Sequence, residues 1–211
     1  MIDYEKSKNI LVLLPSGAGG AFFKTILSLS DDCADIFFNK KSIDEKIKLY
    51  QTKIPNERNF HLNGFDHIGY PDWENCLLSA DDSVAYVHHG HITELTMPSA
   101  VEHFSKIKNL YVVIGVITDD KIRKFLKDRA PVLDISTTEF VYNQGDKIFP
   151  AFYPAKEIYQ IPLSDLFEKE TLLTHVNNIT ELFKLADIDS KEIVNLHNTW
   201  IKKVSKNLQN L

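Results

Sequence analysis

Hydrophobic and polar positions follow two different periods along the chain, and together they predict an α/β protein. Two continuous apolar runs, Ile10–Leu14 and Leu110–Ile117, are too short for buried helices and are typical of strands buried on both faces. Ser83–Val87 is a third strand candidate, and short strands are predicted at Phe140–Asn143 and Glu157–Ile161. Because helical patterns separate the first three, we expect them to be inner strands of a mostly parallel central sheet with helices on both faces.

Apolar residues recur at every third or fourth position between and after these strands, which predicts helices. A long segment rich in Asn, Gly, Asp and Pro, Asn56–Leu78, interrupts the pattern; its aromatic residues either pin it to the body or line an acceptor site. The last two helices are expected to form a two-helix tail. The predicted helices cover residues 21–29, Ser42–Ile54, Pro98–Ile107, a basic segment capped by Thr118 or Asp119, Thr171–Ala186, and a final segment opened by an Asp189-x-x-Glu192 capping box.

Composition and net charge limit the classes of protein to which the chain can belong. The chain has 211 residues, 44% hydrophobic and 25% charged, which is typical of one soluble domain spanning residues 1–211. Its net charge of −5 argues against a general nucleic-acid binder. We find neither a signal peptide nor an apolar run near the ~20 residues that cross a bilayer. Cys33 and Cys76 lack any metal-ligand spacing and read as free thiols, so we expect a cytoplasmic protein without a membrane partner. The sequence does not predict the oligomeric state.

The first strand candidate runs directly into a turn of small residues. Pro15 ends the strand, and three glycines then occupy four positions before helical spacing starts at Phe22. A strand, a small-residue loop and a helix aim free backbone N–H groups and the positive end of a helix dipole at an anion. The sequence therefore predicts a phosphate-binding loop, although a bare strand-to-helix turn would show the same pattern. The candidate binding residues are Ser16, Gly17, Ala18, Gly19, Gly20 and Ala21.

This loop is not a Walker A sequence, which requires Gly-x-x-x-x-Gly-Lys followed by Ser or Thr. Counted from Gly17, the second glycine would have to stand where the chain has Phe22. Counted from Gly20, three residues separate the glycine from Lys24 instead of none. Lys24 is kept as a cofactor-binding candidate, but we do not expect it to point as a Walker lysine does.

Three of the eight histidines crowd into residues 88–91, directly after the strand Ser83–Val87. In open α/β sheets, ligands bind at this carboxyl edge of the strands. Alternation sends His88 and His89 to opposite faces, and no acidic or cysteine partner motif indicates a metal. We therefore predict a general base, either His89 or His91, with His91 preferred because Gly90 frees the backbone to aim it into the cleft. Histidines bonded to loop carbonyls remain the alternative.

Three stretches of the chain resemble one known family. They are LLPSGAGGAFF at the small-residue turn, YVHHGHI at the second strand end, and the tail IPLSDLFEKETLLTHVNNITELFKLADID…LHNTW. Together they resemble the sulfotransferase family, whose P-loop-containing nucleotide hydrolase-like fold binds 3′-phosphoadenosine 5′-phosphosulfate. The resemblance implies transfer of a sulfuryl group to the hydroxyl of a small-molecule or carbohydrate acceptor, with adenosine 3′,5′-bisphosphate as the product. No metal is implied.

The chain departs from that family at two cofactor contacts. Many members carry Lys or Arg directly after the loop proline, where this chain has Ser16. They also place an Arg at the end of a central strand to hold the 3′-phosphate, where this chain has Ile117 and Thr118. Arg123 or Lys124 is the substitute candidate. Three readings stay open: a sulfotransferase, a nucleotide-dependent phosphotransferase with a degraded P-loop, and a non-catalytic binding domain of the same fold.

Overall fold

Five parallel strands form one sheet in the order β2-β3-β1-β4-β5, so the first strand of the chain lies at its centre. The structure, a computed structural model, describes residues 8–15, 17–35, 85–90, 107–129, 135–148 and 155–208. The strands are β1 (Lys8–Leu13), β2 (Cys33–Asp35), β3 (Ala85–Gly90), β4 (Asn109–Val116) and β5 (Ala155–Pro162).

The register aligns the ends of the three inner strands. Leu13, the last residue of β1, pairs with Gly90 of β3 on one side and Ile114 of β4 on the other. Every residue from Asn9 to Leu14 is fully buried, so both faces of the central strand are covered. The predicted fold class, an α/β protein with a parallel sheet, is confirmed, and the three predicted inner strands are β1, β3 and β4.

Helices connect and cover these strands. Two predicted N-terminal caps are present: Asp119 Oδ1 accepts the Ile122 N–H at 2.8 Å, and Asp189 Oδ1 accepts the Lys191 N–H at 2.8 Å. The described helices are α1 (Gly20–Leu27), α2 (Asp120–Arg129), α3 (Ile135–Asn143), α4 (Gly145–Ile148), α5 (Lys169–Phe183) and α6 (Ser190–Leu208), with a 3₁₀ turn at Leu163–Leu166 after β5.

The main core lies between one face of the sheet and helices α1, α2, α5 and α6. Ile10, Val12 and Val113 supply the sheet side of this core, and all three are fully buried. Phe22 and Ile26 of α1 bury the facing helical stripe, as their spacing in the sequence predicts. The predicted two-helix tail is confirmed, because α5 and α6 both contribute apolar side chains to this core.

One predicted strand is wrong. Phe140–Asn143, a β-prone run in the sequence, is the end of helix α3. Tertiary contacts decide this segment: Tyr142 is buried, and the Asn143 side-chain amide bonds both the N–H and the C=O of Ile117 at 3.0 Å. Conversely, β2 was not predicted as a strand. Its pairing is non-local, with Cys33 opposite Ala85, and a three-residue segment carries no periodicity of its own.

Several predictions lie outside the described residues. They concern the helix Ser42–Ile54, the loop Asn56–Leu78 and nearly all of the helix Pro98–Ile107. Among the helices that the structure describes, none combines the length and apolar character that crossing a membrane requires.

Candidate functional site

The small-residue loop follows β1 and holds two glycines in the left-handed region. Gly17 has φ = 81° and Gly19 has φ = 90°, conformations that favour glycine over any other residue. Between them the Ala18 N–H donates to the Pro15 carbonyl at 2.9 Å and closes a turn. Gly19 is then the N-cap of α1, and its carbonyl accepts the first helical hydrogen bond, from the Phe23 N–H at 2.9 Å. The sequence prediction of a tight turn between strand and helix is therefore matched in detail.

Two buried heterocyclic side chains pack against the glycines at the helix start. A Cβ on Gly20 would lie 1.9 Å from His89 Nε2, and a Cβ on Gly19 would lie 2.8 Å from Trp200 Cζ2. Distances below 3.0 Å mean that any larger residue forces one of the partners to move. His89 and Trp200 are only 3% and 5% exposed. The end of β3 and the C-terminal helix α6 therefore both require glycine at this corner.

The first turn of α1 leaves backbone donors for a ligand. The amides of Gly20 and Ala21 precede the first helical hydrogen bond, so neither has a partner within the helix. Within α1 itself, no side chain caps the N-terminus and the first turn carries no acidic residue. Gly19 and Ala21 are partly exposed. This end of the helix therefore presents a positive dipole charge, which no acidic residue of its own first turn cancels, at the carboxyl edge of the sheet.

Lys24 and Thr25 do not adopt the roles of a Walker pair. Both lie in the second turn of α1; Lys24 is 3% exposed, and the Thr25 hydroxyl donates to the Ala21 carbonyl at 2.8 Å. A hydroxyl bonded to the helix backbone is turned along the helix rather than toward the loop. Lys24 stays a predicted cofactor contact. Ser16, the remaining polar candidate of the loop, lies outside the described residues.

The two candidate bases differ in what the structure describes. His89 lies near the end of β3, beside Val12 of β1, and its imidazole ring packs under Gly20. Its placement brings one predicted catalytic residue directly against the predicted phosphate loop. His91, the preferred base, lies outside the described residues, as does the side chain of His88. The general-base role stays a prediction for both His89 and His91.

Arg123, the predicted 3′-phosphate contact, is engaged by carboxylates. Its Nε and Nη2 donate to the two carboxylate oxygens of Glu139 at 2.7 and 2.6 Å, and its Nη1 also bonds Asp120. These bonds raise the pKa of the Arg123 guanidinium and hold the pKa of Glu139 below its usual range. A phosphate would have to compete with the carboxylates of Glu139 and Asp120 for the same N–H groups. The cofactor role of Arg123 stays a prediction.

A second polar cluster, not predicted from the sequence, joins β5, the 3₁₀ turn after it and α5, and it reaches Thr118 beyond the end of β4. Tyr159 Oη lies 2.8 Å from His175 Nδ1, and His175 Nε2 lies 2.9 Å from Asp165 Oδ2. Ser164 Oγ donates to Asp165 Oδ1 at 3.0 Å and lies 3.4 Å from Thr118 Oγ1. Four of these residues lie within the range 159–175, and the pairing of β4 with β5 brings Thr118 to them. The chain of bonds ties β5 to α5.

Two aromatic side chains of α6, Trp200 and His197, pack near the loop and the segment that follows β5. Trp200 stacks on Phe22 with ring centroids 4.5 Å apart and planes 3° apart, and it also contacts Phe167 at 5.0 Å. One helical turn earlier, His197 Nε2 lies 3.1 Å from the Leu166 carbonyl, which fits donation from a neutral imidazole. Burial lowers the pKa of His197 below its usual value of 6.5, although bonds to the backbone oppose the shift.

No metal-binding group emerges from the described ranges, where no three His, Cys, Asp or Glu side chains lie together as ligands would.

Comparisons with known proteins add little. No family model matches the chain, and no curated protein matches it in sequence. A solved shikimate kinase from Bacteroides thetaiotaomicron is similar over 84% of this chain and 99% of its own, with 14% identity and a TM-score of 0.41. Values this low say nothing about ligand or reaction. Membership of the sulfotransferase family stays a prediction.

We predict that the close packing of His89 and Gly20 appears as coupling between two substitutions. Gly20→Ala should lower the free energy of unfolding by about 1–3 kcal/mol, because its Cβ enters the space of the imidazole. In a His89→Ala background that space is open, and the same change should cost much less. Urea unfolding of the four proteins measures the cycle. Additive effects, within about 0.5 kcal/mol, would contradict the packing described here.

His197 should make the protein less stable in mild acid. The unfolded chain takes up a proton on this residue near pH 6.5, whereas the folded protein, with its lowered pKa, does so only at lower pH. The stabilising contribution is therefore present above pH 6.5 and is lost as the pH falls through that value. Relative to His197→Gln, the wild type should lose free energy of unfolding between about pH 7 and 5. A difference that stays constant, or grows on acidification, would show that His197 is not held neutral.

Proposed function

We propose that the chain binds the phosphate groups of a nucleotide at the loop Gly17–Ala21 and uses that nucleotide as a donor in group transfer. One observation carries the proposal: two glycines in the left-handed region lead from the central strand into a helix with no side-chain cap and no acidic residue in its first turn. Such a terminus offers backbone N–H groups and a positive dipole end to an anion. Its place at the carboxyl end of β1 is where open α/β sheets bind ligands.

For the donor itself, we favour 3′-phosphoadenosine 5′-phosphosulfate over a metal-bound nucleoside triphosphate. A P-loop kinase holds Mg²⁺ through the hydroxyl that follows its loop lysine. Here the corresponding hydroxyl, on Thr25, donates to the Ala21 carbonyl inside α1. A donor held by backbone amides alone does not need that metal contact. This geometry and the motif resemblance support sulfuryl transfer without Mg²⁺.

Phosphoryl transfer is the second candidate, and the order of strand, glycine loop and helix favours it. A Lys-Thr pair follows the glycine loop on the first helix of a parallel sheet, which is the general layout of a P-loop domain. Lys24 itself is nearly fully buried. A non-catalytic domain that binds the nucleotide without turnover is the third possibility.

The chemistry in the favoured case needs one base. The acceptor hydroxyl of a small molecule or carbohydrate forms a bond to sulfur, while the bond from sulfur to the bridging phosphate oxygen breaks. The proton of the hydroxyl passes to His89 or His91, and adenosine 3′,5′-bisphosphate leaves. Amides of Gly20 and Ala21 would stabilise the negative charge that grows on the departing phosphate. The contact between His89 and Gly20 supports the nearness of a base to this loop.

The test removes one backbone donor and changes as little else as a substitution allows. Proline is tolerated in the first turn of a helix but has no N–H, so Ala21→Pro deletes an amide aimed at the ligand. Glu170→Pro makes the same change at the second position of α5, remote from the loop, and is the matched control. We expect Ala21→Pro to weaken binding of adenosine 3′,5′-bisphosphate by about tenfold or more, since a hydrogen bond to a charged group contributes roughly 1.5–3 kcal/mol. The control should bind like the wild type.

Calorimetric titrations in the same buffers also distinguish between the two candidate donors, 3′-phosphoadenosine 5′-phosphosulfate and a metal-bound nucleoside triphosphate. Sulfuryl transfer predicts tighter binding of adenosine 3′,5′-bisphosphate than of ADP or ATP, unchanged by a chelator. Tighter binding of ATP that depends on Mg²⁺ would replace this with the phosphoryl-transfer proposal. If the wild type binds none of these nucleotides, or if both proline variants bind as it does, the loop is not a nucleotide site.

A further inference from the structure

The indole of Trp200 lies beside the proposed phosphate site with its polar edge toward the loop. Its three atoms nearest a Cβ on Gly19 would be Cζ2 at 2.8 Å, Cε2 at 3.1 Å and Nε1 at 3.3 Å. The edge that carries the N–H group therefore faces Gly19, the N-cap of α1. The apolar face of the same indole ring stacks on Phe22.

This N–H group has no acceptor in the part of the chain that the structure describes. Trp200 is nevertheless 95% buried, at 5% exposure. Among the described residues, Trp200 Nε1 is not one of the fully buried side-chain nitrogens that lack a hydrogen-bond partner, so this edge of the indole reaches solvent. A tryptophan N–H at the wet edge of a buried ring is a donor that a ligand can use in place of water.

From this geometry we propose that the Trp200 indole N–H is a further donor to the anion bound at the glycine loop, next to the amides of α1. The inference rests on the proposed nucleotide site and assigns it a residue from the C-terminal helix. Neutral donors suit a phosphate oxygen at a helix N-terminus, because they add hydrogen bonds without adding charge repulsion to the dipole. In this arrangement α6 completes the site that β1 and α1 begin.

The variant Trp200→Phe tests the donor while keeping an aromatic ring on Phe22. We expect its affinity for adenosine 3′,5′-bisphosphate, measured by calorimetry, to fall about tenfold relative to the wild type. Phe167→Leu is the control, because Phe167 packs on Trp200 at 5.0 Å and its loss disturbs the same ring without removing the N–H. The control should lose stability but retain most of the affinity. Equal affinity of Trp200→Phe and the wild type overturns the role of Trp200 and leaves the loop site standing.

A measurement on the unmutated side chain covers the case in which Trp200→Phe does not fold. The chain has two tryptophans, so its ¹⁵N–¹H spectrum contains two indole signals, which Trp73→Phe assigns. With saturating adenosine 3′,5′-bisphosphate, the Trp200 indole proton should move downfield as it gains an acceptor. A Trp200 signal that stays in place while nucleotide binds overturns the inference. Absence of any binding by the wild type overturns the nucleotide site as well.

Discussion

The contact of two buried rings with two adjacent glycines is the constraint on which the rest of this structure depends. His89 reaches under Gly20 from β3, and Trp200 reaches over Gly19 from α6. Neither contact leaves room for a Cβ, so the backbone at the start of α1 is fixed between the sheet and the C-terminal helix. The loop is therefore held in one shape by residues that lie about 70 and 180 positions away in the sequence. A fixed loop keeps its amides aimed before any ligand arrives, which reduces the entropy lost on binding.

At the proposed anion site, the backbone of α1 supplies positive dipole charge. No acidic side chain in its first turn cancels the dipole. Arg123, the cation that the sequence offers for a second phosphate, already shares its N–H groups between Glu139 and Asp120. We therefore expect recognition at the proposed site to depend on geometry more than on net charge, which is consistent with a protein whose overall charge is −5.

The sequence predicts the strands and helices around this site better than the side chains that contact its glycines. The continuous apolar runs of β1 and β4 and the helical spacing of α1, α5 and α6 are local patterns, so they identify the parallel sheet and its two-helix tail. Asp119 and Asp189 are equally local as caps. Phe140–Asn143 fails because burial of Tyr142 outweighs the β propensity of the run. The partners of Gly19 and Gly20 could not be predicted, because a glycine required by a side chain from another element looks the same in sequence as one required by a ligand or a turn.

The central claim is that the amides at the start of α1 bind a nucleotide phosphate, and a titration that resolves individual backbone amides tests it most directly. In ¹⁵N–¹H spectra recorded during addition of adenosine 3′,5′-bisphosphate, we expect the largest shifts at Gly19, Gly20 and Ala21, saturating together with the calorimetric isotherm. The N-termini of α2 and α5 serve as internal references in the same spectra. Saturable shifts that cluster at those helices, with the loop amides stationary, would contradict the account.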